Sequence, residues 1–146
     1  SPMIRTDAMM PSECYVPLCS PALAEANSME IEQISNMNLV HCDTTVVSLR
    51  HWAEHYLPGF EHAESMERGI HLDRSYLSLR AAMNKVGVCI DSTLLAHEFL
   101  ESHQLVMPFG NKGIPKCAHH LCVPKTKMEM PKVQLVLSWI RSWLPQ

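Results

Sequence analysis

Three short runs carry the residues that could do chemistry: Asp43-Thr44-Thr45 with Val46, Asp73-Arg74-Ser75, and Asp91-Ser92-Thr93. Each sets a carboxylate beside hydroxyls, directly after a short apolar stretch. At a helix N-terminus, free N–H groups and the positive dipole end attract an anion. The hydroxyls can donate to a carboxylate, and the aspartates can hold an amine. The chemistry on offer is recognition of a small polar molecule, anionic in part, with no bond made or broken. The same hydroxyls also suffice as plain helix caps. That plainer role stays open for each of them.

Nucleophiles and bases are present but badly placed for catalysis. His41 and Cys42 are adjacent, and adjacent residues on a strand point to opposite faces. No G-x-S-x-G, H-E-x-x-H or phosphate-loop pattern occurs. No enzyme activity and no cofactor are expected. A metal or redox sensor is the alternative, built on Cys117, His119, His120 and Cys122. On a regular strand only Cys117 and His119 share a face, which gives two ligands where zinc takes four. The six cysteines contain no C-x-x-C pair. They read as reduced, buried thiols acting as small hydrophobes.

The elements that must position the three runs alternate strand and helix. Gly69–Asp73 reads as a strand, Ser75 as a cap, and Tyr76, Leu79, Met83 and Val86 as one apolar helical face. Gly87 is expected to stop that helix. Val88-Cys89-Ile90 suits a strand covered on both faces. Asn38–Cys42 is a third strand, followed by a helix over Val46–Leu57. The pattern predicts parallel strands joined by helical crossovers, with ligands at the carboxyl ends of the strands.

On either side the reading is looser. Ile4–Met10 is weakly strand-like. Glu13–Cys19 is rich in strand formers, with Pro17 marking an edge or a bend. Pro21–Ala26 and Ser28–Ser35 are short helices, and Phe60–Arg68 is a surface loop. A helix runs from Thr93 to about His103 on Leu94, Leu95, Phe99 and Leu100. Leu105–Gly110 is a strand broken by Pro108, Asn111–Pro115 a turn, and Cys117–Val123 another strand. Pro131 starts a last helix with Val133, Val136, Leu137, Trp139, Ile140, Trp143 and Leu144 on a broad apolar stripe.

Composition sets the outer bounds. A chain of 146 residues, 47% hydrophobic and 18% charged, suits a folded α/β domain. Its net charge of −3 gives no electrostatic basis for nucleic-acid binding by this chain itself. No apolar run approaches a membrane span. The first ten residues lack a signal-peptide core, so a cytoplasmic location and no membrane partner are expected.

Val16–Ala24 (VPLCSPALA), His51–Tyr56 (HWAEHY), His71–Ile90 (HLDRSYLSLRAAMNKVGVCI) and Leu100–Gly110 (LESHQLVMPFG) occur in the order and spacing of one known family. The chain resembles the C-terminal effector-binding domain of LysR-type transcriptional regulators. The Asp-Arg-Ser and Ala-Ala-Met-Asn elements resemble a subgroup that includes activators of D-serine deamination. The resemblance implies a periplasmic-binding-protein-like (type 2) fold of two α/β lobes with the effector between them. It makes 11–107 the second lobe, and 1–10 with 108–146 part of the first. It implies an amino-acid-like effector at the Asp43–Val46 corner, and more loosely at Asp73–Ser75 and Asp91–Thr93. It further implies self-association as a dimer or tetramer, and DNA contact only through an N-terminal reading head that has no counterpart in this sequence.

Overall fold

Short apolar runs closed by capping residues build the larger of two units, Cys14–Lys116; the smaller comprises Ser1–Glu13 and Cys117–Gln146. The structure, a computed structural model, describes residues 3–5, 10–27, 30–59 and 63–145. In chain order the elements are β1 (Met3–Arg5), β2 (Cys14–Leu18), α1 (Pro21–Ala26), β3 (Val40–Cys42), α2 (Leu49–Tyr56), β4 (Ile70–Leu72), α3 (Ser75–Met83), β5 (Cys89–Ser92), α4 (Thr93–Glu101), β6 (Ile114–Pro115), β7 (Cys122–Pro124) and α5 (Pro131–Trp143). Short 3-10 turns lie at Ile31–Asn36, Ala63–Glu67 and Lys125–Lys127.

In the larger unit β4 pairs with β3 in parallel, and Leu39 bridges Val88 in parallel just before β5. β2 then pairs antiparallel with β5 on one side and with β6 on the other. The three parallel strands expected from the sequence are therefore present, and the order is β4-β3-β5-β2-β6. β2 is an interior strand, so of the edge or bend that Pro17 suggested the edge is not found. Pro17 falls between the pairings of Tyr15 with Ile114 and Cys19 with Val106. Its missing N–H therefore costs no ladder bond.

One face of this sheet carries the core cluster of Val16, Leu18, Val40, Leu79, Ala82, Cys89, Ala96 and Leu105. Alternation along the strands sends His41 and Ile90 to the other face. There α2 buries Leu49, Trp52 and Ala53. Trp52 stacks on Phe109 with ring centroids 5.5 Å apart and donates from Nε1 to the Lys112 carbonyl at 2.6 Å.

Several boundaries differ from the sequence reading. α2 begins at Leu49 with Ser48 as its cap, so Val46 is 52% exposed and Val47 takes the buried place. α3 buries Ser78, Leu79 and Ala82, while Tyr76 and Val86 face solvent. Small residues win there because the helix lies close on the sheet. The chain leaves α3 with Lys85 in the left-handed region, at φ 66°, and not through Gly87. A Cβ at Gly87 would meet the Asn38 carbonyl, so that glycine serves close strand approach. Residues 63–67 form a turn with Met66 fully buried, where a plain surface loop was expected. α4 buries Ala96 and leaves Leu95 exposed. Leu105–Gly110 is no strand apart from the Val106 bridge, and part of the expected Asn111–Pro115 turn is β6. The proposed caps at Ser28 and much of Ile4–Met10 lie outside the described residues.

In the smaller unit β1 pairs antiparallel with β7. Glu13, buried, accepts from the Ala118 and His119 backbone N–H groups and lies 3.0 Å from His119 Nδ1. Pro131 opens α5 as expected, and Leu137 is its buried residue. Leu135, Val136, Trp139 and Trp143 are exposed.

Candidate functional site

The parallel register of β3 and β4 places His41 beside His71 and Cys42 beside Leu72. The two imidazoles stack, with centroids 4.5 Å apart and planes 20° apart. Beyond the strand ends the chains stay tied together. Asp43 donates its backbone N–H to the Leu72 carbonyl at 2.8 Å, and Thr44 Oγ1 donates to the Asp73 carbonyl at 3.3 Å. Cys42 Sγ lies 3.2 Å from Thr44 Oγ1 and 4.0 Å from Ser75 Oγ. The corners at Asp43 and Asp73 are thus tied side by side at the strand ends.

A cavity of about 200 Å³ opens at this site, lined by His41, Asp43, Thr45, Ser48, Glu67 and His71 among others, with Ile90 from β5. Ser48 accepts from the His51 N–H at 3.0 Å and so caps α2. Thr45 donates to the Val47 carbonyl at 3.1 Å and shapes the turn into the helix. The helix expected to start at Val46 therefore starts three residues later, at Leu49, with Ser48 as its cap. Ser75 is the first residue of α3 and not its cap; Arg74 takes that place without a side-chain bond. Asp73 and Arg74 are exposed beside the site. A wider hollow of about 530 Å³ lies at the opposite ends of the same strands. Its polar lining is Ser35, Asn36, Asn38, Ser65 and Arg68, with Arg68 the one charged residue among them.

The third corner is of another kind. Asp91 and Ser92 are buried, and Ser92 caps α4 by accepting from the Leu94 N–H at 3.1 Å. Thr93 Oγ1 accepts the Cys14 N–H at 3.1 Å and ties β2 to the start of α4. The structure shows these three residues holding the sheet and helix together, apart from the cavity lining.

His71 holds the electrostatic centre of the site. Its Nδ1 lies 2.8 Å from Asp43 Oδ1 and its Nε2 lies 3.3 Å from the Glu67 carbonyl. The hydrogen bond to Asp43, and then that to Glu67, raise its pKa above the ordinary 6.5. Neither histidine, nor Ser48 or Glu67, stood out in the sequence as lining this corner. The signal was there: His41-Cys42-Asp43 and His71-Leu72-Asp73 repeat a His-x-Asp pattern at two strand ends. In-register parallel pairing turns such a repeat into a stacked pair.

The Cys/His alternative loses its geometric premise. Cys117–Leu121 is not a strand, and His119 turns to Glu13. Among the described residues no group of three or more His, Cys, Asp or Glu could hold a metal ion. Burial raises the Cys19 thiol to about 11 and pushes Cys89 higher still, with the Asp91 charge adding to it. These two behave as the buried thiols expected, whereas Cys117 and Cys122 are exposed. No helix among the described residues is long and apolar enough to cross a membrane.

Residues 4–145 match the LysR substrate binding domain family. The chain is 29% identical over 147 residues to the HTH-type transcriptional regulator DsdC of Escherichia coli K12, covering 93% of this chain and 45% of that protein. It is 28% identical over 147 residues to the HTH-type transcriptional regulator y4mQ of Sinorhizobium fredii, covering 95% and 47%. The chain thus spans about half the length of these curated relatives. Among solved structures, the effector domain of AmpR from Pseudomonas aeruginosa superposes with a TM-score of 0.69 at 17% identity, over 96% of this chain and 64% of that one. The regulatory domain of CrgA from Neisseria meningitidis gives 0.67 at 13% identity, over 98% and 70%. The fold is that of these periplasmic-binding-protein-like effector domains, present in part. The chain belongs to the LysR substrate binding domain family.

Proposed function

We propose that this chain is the effector-sensing part of a LysR-type transcriptional regulator, and that it binds a small amino-acid-like metabolite at the joined corners of β3 and β4. The observation that carries the reading is the cavity lined by Asp43, Thr45, Ser48, Glu67 and His71 at the N-terminus of α2. Its volume suits a molecule of a few heavy atoms. A carboxylate is matched by helix N–H groups, hydroxyls and a ring N–H of His71, and an amine by Asp43 or Glu67. Residues 11–107 act as the second lobe in this reading, with 1–10 and 108–146 contributing to the first. Control of DNA follows through a reading head outside this chain.

A thermal-shift screen of amino acids, D-serine included, on the full-length regulator tests the proposal. Binding at a hundredfold excess over the dissociation constant adds about 2.7 kcal/mol of native-state stability. Thr45→Ala should weaken that shift at least tenfold in ligand concentration, on the order of 1.4 kcal/mol. Ser48→Ala should also lose about 1 kcal/mol without ligand, because it removes a cap. A screen in which no amino acid shifts the protein, or a Thr45→Ala variant with an unchanged dose response, sinks the reading.

Self-association as a dimer or tetramer belongs to the same proposal. The exposed Leu135, Val136, Trp139 and Trp143 of α5 form an apolar stripe suited to cover by a second copy. Sedimentation at micromolar concentration should give a dimer or larger species, with tryptophan fluorescence less open to quenchers than in dilute solution. A monomer at every concentration tested refutes this part.

A further inference from the structure

The ring of His71 faces acceptors at both nitrogens. Asp43 Oδ1 lies 2.8 Å from Nδ1, and the Glu67 carbonyl oxygen lies 3.3 Å from Nε2. A backbone carbonyl cannot donate, and an ionised carboxylate cannot either. Both contacts are hydrogen bonds only when both ring nitrogens carry hydrogens, which makes the ring an imidazolium. A neutral ring keeps one contact and sets a lone pair against oxygen at the other.

The surroundings favour the cation. Asp43, at the end of β3, is an exposed carboxylate partner. Glu67 supplies its carbonyl to His71 from the 63–67 turn, while its carboxylate sits 3.3 Å from Arg50 of α2. That guanidinium is also 3.0 Å from Glu54, so its charge is shared between two carboxylates. His41, stacked beneath, donates from Nε2 to the Arg68 carbonyl at 2.8 Å. This fixes its ring as a flat platform for His71. Two ties, to β3 and to the turn before β4, therefore meet on one ring, and both are made only while it holds its second proton.

We infer that His71 is a proton-dependent clamp on the cavity: as an imidazolium it ties the Asp43 carboxylate to the 63–67 turn, and when it loses its proton one tie is lost and the cavity mouth loosens. The bearing of this clamp on ligand binding rests on the function proposed above; the clamp itself does not. The direction follows from the raised pKa of His71. The stabilisation it gives is complete below the ordinary value of 6.5 and fades as pH rises through the higher folded-state value.

The test is an NMR titration of the ligand-free protein from about pH 5 to about pH 9. The His71 ring resonance is assigned by its loss in His71→Gln. Its midpoint should lie above 6.5, and the backbone amides of Asp43, Thr44 and Thr45 should move with the same midpoint. Asp43→Asn should lower the His71 midpoint, because a neutral amide holds a cation less well. The stability advantage of the natural protein over His71→Gln should shrink as pH rises through that midpoint. A midpoint at or below 6.5, a midpoint indifferent to Asp43→Asn, or corner amides that ignore it would each overturn the clamp. Because no ligand is present, this result is independent of whether an amino acid binds the cavity.

Discussion

Trp52→Ala should cost about 3–5 kcal/mol of stability, much of what a domain of this size has in total. Trp52 is fully buried on the inner face of α2. Its ring stacks on Phe109 at 5.5 Å and lies tilted to Tyr56 at 5.3 Å. Its indole N–H meets the Lys112 carbonyl at 2.6 Å, and Tyr56 donates its hydroxyl to the next carbonyl, that of Gly113, at 2.5 Å. Truncation therefore opens a large cavity and leaves a backbone oxygen unpaired at once. It also frees the segment that runs into β6, where Gly113 fits so closely that a Cβ would lie 2.8 Å from Val16 Cγ1. Urea unfolding measures the loss. Trp52→Phe separates the two causes. It keeps most of the ring contact and forfeits the hydrogen bond, so its cost should be about 1–3 kcal/mol. Equal losses from both variants would show that packing around the indole contributes little.

How much of this was legible in the sequence depends on which interaction decides each element. Local signals read well. Ser20-Pro21 announces α1 because a hydroxyl cap and an N1 proline act within one turn. The alternation of β3, α2, β4, α3 and β5 followed from apolar runs closed by capping residues. Contacts distant in sequence read poorly. From the sequence alone α2 starts at Val46, directly behind the Asp43–Thr45 corner. The choice of Ser48 depends on Val47 and Leu49 reaching the core together. The apolar face expected for α3 gave weight to the large Tyr76 and Val86, yet close approach to the sheet selected Ser78 and Ala82. Pro17 suggested an edge or a bend, and the ladder gap that accommodates it inside the sheet is made by Ile114 and Val106, which are distant in sequence.

The candidate site was legible to a similar degree. The corner at Asp43 stood out from hydroxyl and carboxylate spacing, and the structure joins it to the corner at Asp73 through Thr44 on the Asp73 carbonyl and Cys42 beside Ser75. Nothing local could tell that Asp91 and Ser92 would be buried while their counterparts are exposed. That difference comes from β2, which covers β5 from the far side. The paired histidines required the register of β3 on β4, a property of two strands together.

That register depends on one residue, and Gly69→Ala should show it. Gly69 has φ 122°, a region L side chains rarely adopt, and an added Cβ would run into the Leu39 carbonyl. The same carbonyl accepts the Ile70 N–H at 3.2 Å, the bond that opens the pairing of β4 with β3. A methyl group there strains the backbone and pushes apart the oxygen and the N–H that set the register. The cost should be about 3 kcal/mol, the upper range for a strained backbone site. Gly59→Ala is the matched control: its φ of 81° is also unfavourable, but a Cβ there meets open space. It should lose only about 1 kcal/mol. The larger variant should in addition disturb the site itself, because His41 and His71 stack only while Val40 and Ile70 stay paired. Unfolding by urea gives the stability difference, and the ring resonances of the two histidines report the stack. A Gly69→Ala variant no less stable than Gly59→Ala, with both ring signals unmoved, would mean that β4 can rejoin β3 without this glycine and that the register is set elsewhere in the pair.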